Sequence, residues 1–193
     1  MPRIGVLALQ GDFREHREAM ERLQVAAGEV RLPRDLDGLD GLIIPGGEST
    51  TIVRILRSSG LLEPLQTLVR EGFPMWGTCA GMILLAKRLD ETGIPALQAM
   101  DITVRRNAFG RQVDSFEADL SVPVLGDVPF HAVFIRAPII EDVGTNVEVL
   151  SRLSNGTPVA AQEGRLLVTA FHPELTLDLR FHRHFLRIVA PGA

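Results

Sequence analysis

Unbroken apolar runs, closed by glycine or proline, alternate along the first half of this chain with stretches of helical period. Ile4-Gly5-Val6-Leu7-Ala8-Leu9 is apolar throughout and stops at Gln10-Gly11, the pattern of a strand covered on both faces. From Phe13 to Ala26 the period becomes helical, with Met20 and Leu23 on the apolar side and Arg14, Glu15, Arg17 and Glu18 mostly outward. Gly28 ends that helix, and Val30-Arg31-Leu32 forms a short second strand before Pro33. Gly41-Leu42-Ile43-Ile44 is a third, closed by Pro45-Gly46-Gly47. Helical pattern covers Ile52 to Arg57 and, after Ser58-Ser59-Gly60, Leu61 to Glu71. Phe73 to Ala86 reads as a buried strand, a turn and an apolar helix that runs to about Leu89. This β-α-β-β order followed by further helices predicts an α/β fold: a mainly parallel sheet in three layers, flanked by helices.

Beyond that helix the texture changes. Leu97 to Arg106, Ser115 to Val122 and Ala132 to Ile135 contain β-type runs separated by Gly, Pro and Asn. They predict a smaller, partly antiparallel extension on one side of the core. Val147 to Leu153 and Pro158 to Gln162 are further strands, and Glu163-Gly164 makes a hairpin turn into Leu166 to Phe171. Leu179 to Val189 closes the chain as a helix, with Phe181, Phe185 and Ile188 for packing.

A chain of 193 residues, 46% hydrophobic and 23% charged, has the size and composition of one globular domain over 1–193. Its net charge of −4, with signs mixed, carries no footprint of nucleic-acid or membrane binding. A single cysteine excludes an internal disulfide and agrees with a reducing, cytoplasmic setting. Met1-Pro2-Arg3 leads straight into a strand-like run, without the pattern of a signal peptide, and no segment has the length of a membrane span.

The turn Gly77-Thr78-Cys79-Ala80-Gly81 has the Gly-x-Cys-x-Gly spacing of a nucleophile elbow, in which the reactive residue sits between strand and helix. Helix N–H groups from Ala80 onward face the sulfur and favour negative charge there. A buried structural cysteine between glycines is the plainer reading of this stretch alone. Pro45-Gly46-Gly47-Glu48-Ser49-Thr50-Thr51 lies just past a strand's carboxyl end, where open α/β sheets bind ligands. Its glycines can turn backbone N–H groups toward a substrate, and Ser49 or Thr50 can cap the next helix; a tight turn with a cap is the alternative. His172-Pro173-Glu174 ends a strand, so a carboxylate can orient an imidazole whose other nitrogen faces a nucleophile. Arg105, Arg106 and Arg136 flank apolar strands, suited either to surface ion pairs or to a substrate carboxylate. His16, His131, His182 and His184 are read as non-catalytic, and no metal is expected, since neither a His-Glu-x-x-His motif nor paired cysteines occur.

Gly77-Thr78-Cys79-Ala80-Gly81-Met82 with Phe171-His172-Pro173-Glu174 resembles the class I, triad-type glutamine amidotransferases. Four further motifs are similar to those of the glutaminase subunits of pyridoxal 5′-phosphate synthases: Leu9-Gln10-Gly11-Asp12-Phe13-Arg14-Glu15-His16, Pro45 to Thr51, Arg106-Asn107-Ala108-Phe109-Gly110-Arg111-Gln112, and Phe134-Ile135-Arg136-Ala137-Pro138. Asp12-Phe13 departs from the small or aliphatic residues more usual there. The resemblance spans nearly the whole chain and implies a flavodoxin-like fold. It implies a Cys79 nucleophile, a His172 base and a Glu174 orienter, with no cofactor. Gly46, Gly47, Glu48, Ser49, Arg106, Ile135 and Arg136 would bind L-glutamine, and backbone N–H groups near Gly47 and Ala80 would receive the oxyanion. The implied partner is a synthase (lyase) subunit in a large hetero-oligomer, which takes the ammonia for vitamin B6 biosynthesis. The glutaminase of another pathway, such as histidine biosynthesis, a catalytically dead binding module on the same fold, and a cysteine peptidase are the competing readings.

Overall fold

The computed structural model describes residues 2–89, 96–106 and 115–192. Strand β1 (Ile4–Leu7) is buried at every position, so both its faces need cover. Helix α1 (Phe13–Arg22) supplies part of it, burying His16, Ala19 and Met20. It stops at Arg22, short of Ala26, because Gln24 turns into the left-handed region at φ 59°. The chain then enters β2 (Ala27–Val30), which therefore precedes the predicted Val30-Arg31-Leu32. Gly28, predicted to end a helix, lies within this edge strand.

β3 (Gly41–Ile44) and β4 (Met75–Thr78) are again wholly buried, with α2 (Ser49–Ser58) and α3 (Leu62–Arg70) between them. α4 (Ala80–Leu85) ends earlier than its apolar run suggested. At Ala86 the backbone becomes extended and continues as β5 (Ala86–Leu89), whose Lys87 and Arg88 are exposed.

The main sheet has seven strands in the order β10-β11-β12-β4-β3-β1-β2. Strands β12 (Leu166–Thr169), β4, β3, β1 and β2 run parallel; β10 (Glu148–Arg152) and β11 (Pro158–Glu163) join antiparallel beyond β12. Glu163 pairs with Leu166, so the hairpin loop is Gly164-Arg165 rather than Glu163-Gly164.

The other late strands do not extend this sheet. β6 (Met100–Arg105) lies between β5 and β9 (Ile139–Val143), the latter not indicated by the sequence pattern. β7 (Ser115–Leu120) and β8 (Phe130–Ile135) form a separate antiparallel ribbon. Side chains alternate between buried and exposed along β8, which gives the ribbon one apolar face to lay on the core. Phe130 of that face meets Phe181 of α5 (Arg180–Val189) edge-on at 4.9 Å, and Phe181 stacks on Trp76 of β4 at 6.3 Å. Ribbon, last helix and sheet centre thus share one aromatic cluster, which fixes β8 beside the carboxyl ends of β4 and β12. No helix among the described residues is long and apolar enough to cross a membrane.

Candidate active site

β4 delivers Cys79 with φ 47° and ψ −103°, a backbone conformation that side-chain-bearing residues avoid and that costs about 1–3 kcal/mol. The surroundings hold it there. The Cys79 N–H donates to the Thr169 carbonyl of β12 at 2.8 Å, and the Cys79 carbonyl accepts from the Met82 N–H at 3.1 Å. Glycine at 81 is required by close approach, because a Cβ there would sit 2.0 Å from the Ile44 carbonyl oxygen of β3. The thiol is 7% exposed and lies 3.8 Å from the Ile135 carbonyl oxygen at the end of β8. With only six residues, α4 brings a weaker dipole to the sulfur than the longer helix expected, and the local N–H groups matter more.

His172 and Glu174 are brought together by a tight turn rather than by a strand. β12 stops at Thr169, and a 3-10 turn over Pro173–Leu175 folds Glu174 back so that its Oε1 lies 2.8 Å from His172 Nδ1. The His172 backbone N–H donates to the Val133 carbonyl of β8 at 2.9 Å, tying His172 to the ribbon. Beneath Glu174 the sequence reading missed a buried histidine pair. His16 Nε2 lies 3.3 Å from Glu174 Oε2 and 3.3 Å from Thr78 Oγ1, while His16 Nδ1 is 3.1 Å from His182 Nε2. If His16 carries its proton on Nε2, facing Thr78 and the carboxylate, His182 donates from Nε2 and its buried Nδ1 has no hydrogen-bond partner among the described residues. Burial, with His182 and then His172 adding to it, holds the His16 pKa well below 6.5. Burial, then Arg22, lowers His182 to about 3, so both rings are neutral near pH 7. His184 contacts Gln162 Oε1 at 2.8 Å, and exposed His131 lies between Glu117 and Asp119, both away from this cluster.

Burial pushes the His172 pKa down, but hydrogen bonds with Asp12, Cys79 and Glu174 outweigh it and the net direction is upward. Burial also raises Glu174, against the lowering effect of His172. Desolvation alone would favour a neutral pair. The partners crowded around one ring favour its protonated form.

Above Cys79 and His172 is a cavity of about 450 Å³, at the carboxyl ends of β1, β3, β4 and β12. Cys79, Ala80 and His172 line it, with Gly47, Glu48, Ser49, Arg106, Ile135 and Arg136. Gly46 stands behind it against the base: a Cβ there would fall 2.4 Å from His172 Cε1. Gln10, Gly11 and Asp12 also face the cavity, a side of the site that spacing alone did not mark. The cap of α2 is Glu48 rather than Ser49 or Thr50: its carboxylate accepts from the Thr50 and Thr51 N–H groups at 3.0 and 2.7 Å, two bonds a hydroxyl cannot match. Arg106 leans on that cap, 3.8 Å from Glu48 Oε1. Arg136, at φ 42°, has no ion-pair partner among the described residues. Residues 107–112 of the Arg-Asn-Ala-Phe-Gly-Arg-Gln motif lie outside the described residues. A larger apolar hollow of about 690 Å³ shares Ser49, Ile83 and Arg106 but lacks Cys79 and His172. Single ligating atoms of Asp12, His172 and Glu174 come within 4.8 Å of one another, but two of them are carboxylate oxygens gathered at 2.8 and 3.2 Å around one ring nitrogen, and the set is read as that and not as a metal centre.

The profile of the SNO glutamine amidotransferase family matches residues 6–190. The chain belongs to that family. Among SNO-family relatives, a Herpetosiphon aurantiacus protein named pyridoxal 5′-phosphate synthase subunit PdxT is 62% identical over 186 residues, which cover 95% of this chain and 98% of the relative. A Dehalococcoides mccartyi protein of the same name is 58% identical over 188 residues, 96% of each chain. A solved structure described as a glutamine amidotransferase superposes with a TM-score of 0.91 at 52% identity, over 96% of this chain and 98% of that one.

Proposed function

We propose that this chain is the glutaminase subunit of a pyridoxal 5′-phosphate synthase, hydrolysing L-glutamine to L-glutamate and ammonia and passing the ammonia to a separate synthase subunit. The observation that carries the chemistry is the strained Cys79 facing a cavity that it shares with His172, itself bonded to buried Glu174 at 2.8 Å. The family and the near-full-length relatives support the choice of pathway.

His172 holds as imidazolium the proton it has taken from Cys79, and the Cys79 sulfur attacks the carboxamide carbon of glutamine. The oxyanion is received by backbone N–H groups at Gly47 and Ala80. His172 gives its proton to the departing amine, the C–N bond breaks, and ammonia leaves behind a glutamyl thioester. Water, losing a proton to His172, then attacks the thioester carbonyl and releases glutamate and the thiol. Glu174 keeps the ring in one tautomer and stabilises its charged form. Arg136 suits the substrate α-carboxylate, while Ser49, Ile135 and the Gly46-Gly47-Glu48 backbone shape the rest of the pocket.

The test is Cys79→Ser. Glutamate release should fall to background, measured with the synthase subunit present, while the thermal melt stays close to wild type. Release near the wild-type rate would overturn the assignment.

A further inference from the structure

A triad uses one orienting acid, and buried Glu174 fills that place. The loop after β1 brings a second. Asp12 Oδ2 lies 3.2 Å from His172 Nδ1, the nitrogen that Glu174 Oε1 approaches at 2.8 Å. Asp12 is of a different kind from Glu174: its side chain is 36% exposed and it lines the cavity. Its backbone N–H donates to the Gly46 carbonyl at 3.3 Å, so the residue also touches the turn that carries the expected oxyanion donor.

We propose that Asp12 is a positioning residue for His172, sharing the Nδ1 proton with Glu174 and holding the ring as imidazolium. The proposal rests on the glutaminase reading above. Glu174 Oε1 is the hydrogen-bond partner of Nδ1, and Asp12 Oδ2 stands beside it as a second carboxylate oxygen at 3.2 Å. The groups facing the ring are Glu174 on its own turn, Asp12 from the β1–α1 loop and Cys79 from the elbow after β4. His16 of α1 stands behind Glu174, and the Val133 carbonyl of β8 holds the His172 main chain rather than the ring. Both fixed charges near Nδ1 are therefore negative. An opposite charge at this range raises a histidine pKa by about 1–3 units, and the exposure of Asp12 puts its share at the low end, about one unit. A carboxylate here also gives redundancy, because either acid alone can keep the proton on Nδ1.

Three variants test it in the full chain, assayed with its synthase subunit: Asp12→Asn, Glu174→Gln and the double variant. In Asp12→Asn the alkaline limb of the kcat/KM profile should move down by about one pH unit, and Asp12→Glu should restore it. The double variant should lose about tenfold more activity than the product of the two single losses, because both acids are gone. Unchanged limbs together with multiplicative losses would overturn the proposal. Nitrogen NMR of the His172 ring gives a readout independent of turnover. The ring should deprotonate about one pH unit lower in Asp12→Asn than in wild type, and identical titrations would overturn the proposal whatever the kinetics show. A wild-type chain that releases no glutamate from glutamine would sink the glutaminase reading, and the ring titration would still decide the Asp12 contact.

Discussion

Gly46→Ala puts the geometry of the site to a direct test. Gly46 is not in the left-handed region, so an alanine there meets no backbone penalty. What it meets is the base. The new Cβ would stand 2.4 Å from His172 Cε1, 3.0 Å from Nδ1 and 3.3 Å from Asp12 Oδ2, whereas ordinary contact begins at 3.4 Å. Ring or turn must give by about 1 Å, and the residue has little room, being 4% exposed, with its ring tied to Glu174 and its backbone N–H to Val133. A displacement of about 1 Å in a catalytic group costs roughly 100-fold in rate. Overpacking of this kind costs about 1–3 kcal/mol, or a melting temperature lower by about 2–4 °C per kcal/mol, which leaves the fold standing. The assay is glutamate release with the synthase subunit present, alongside a thermal melt. Gly28→Ala serves as control, since a Cβ there has nothing within 4 Å. Near-wild-type kcat/KM in Gly46→Ala would refute the placement of the base against this turn.

His172→Asn should abolish hydrolysis, while Glu174→Gln should retain a measurable rate because a base remains near the sulfur; stopped assays of both variants check the order. The chain alone should be a poor glutaminase that its synthase subunit accelerates about 100-fold or more, because a Gly46-Gly47 peptide turned away leaves the oxyanion short of one donor; equal rates with and without the subunit would show a preformed site. Glu48→Ala should lower stability by about 1 kcal/mol at neutral pH through loss of the α2 cap. The Thr51 side chain, with the Thr51 and Thr50 amides, holds the folded Glu48 pKa down at about 2 from 4.5. The cap's contribution is therefore full above pH 4.5 and lost as pH falls toward 2, so melting curves of wild type and variant should converge over that window.

Strands β1, β3 and β4 were legible because each is a fully buried run, and such runs show no other periodicity to confuse them. The elbow and the His172-Pro173-Glu174 triplet were legible because their residues are near neighbours in the chain. Ala86-Lys87-Arg88-Leu89 was not: it follows an apolar helix directly, and its pairing with β6 is a tertiary fact. β9 hides for a similar reason, its Ile139-Ile140 pair passing into Glu141-Asp142 without alternation. Asp12 and His16 were placed on a loop and a helix face, and nothing local says that both reach the His172-Glu174 turn past β3 and β4. Glu48 was overlooked as a cap because shorter side chains usually hold that role.

The strand order carries a mechanical consequence. β12, β4 and β3 are immediate neighbours, and His172, Cys79 and the Gly46-Gly47 turn, the proposed base, nucleophile and oxyanion turn, each hang from the end of one of them. Hydrogen-bonded strands keep a pitch of about 4.8 Å whatever side chains they carry. The main chain therefore acts as a gauge that spaces the three parts, and side-chain repacking in the interior has little purchase on it. Wear in such a device begins at the fittings: the short turns after β1, β3 and β12 will drift out of tolerance while the gauge itself still reads true.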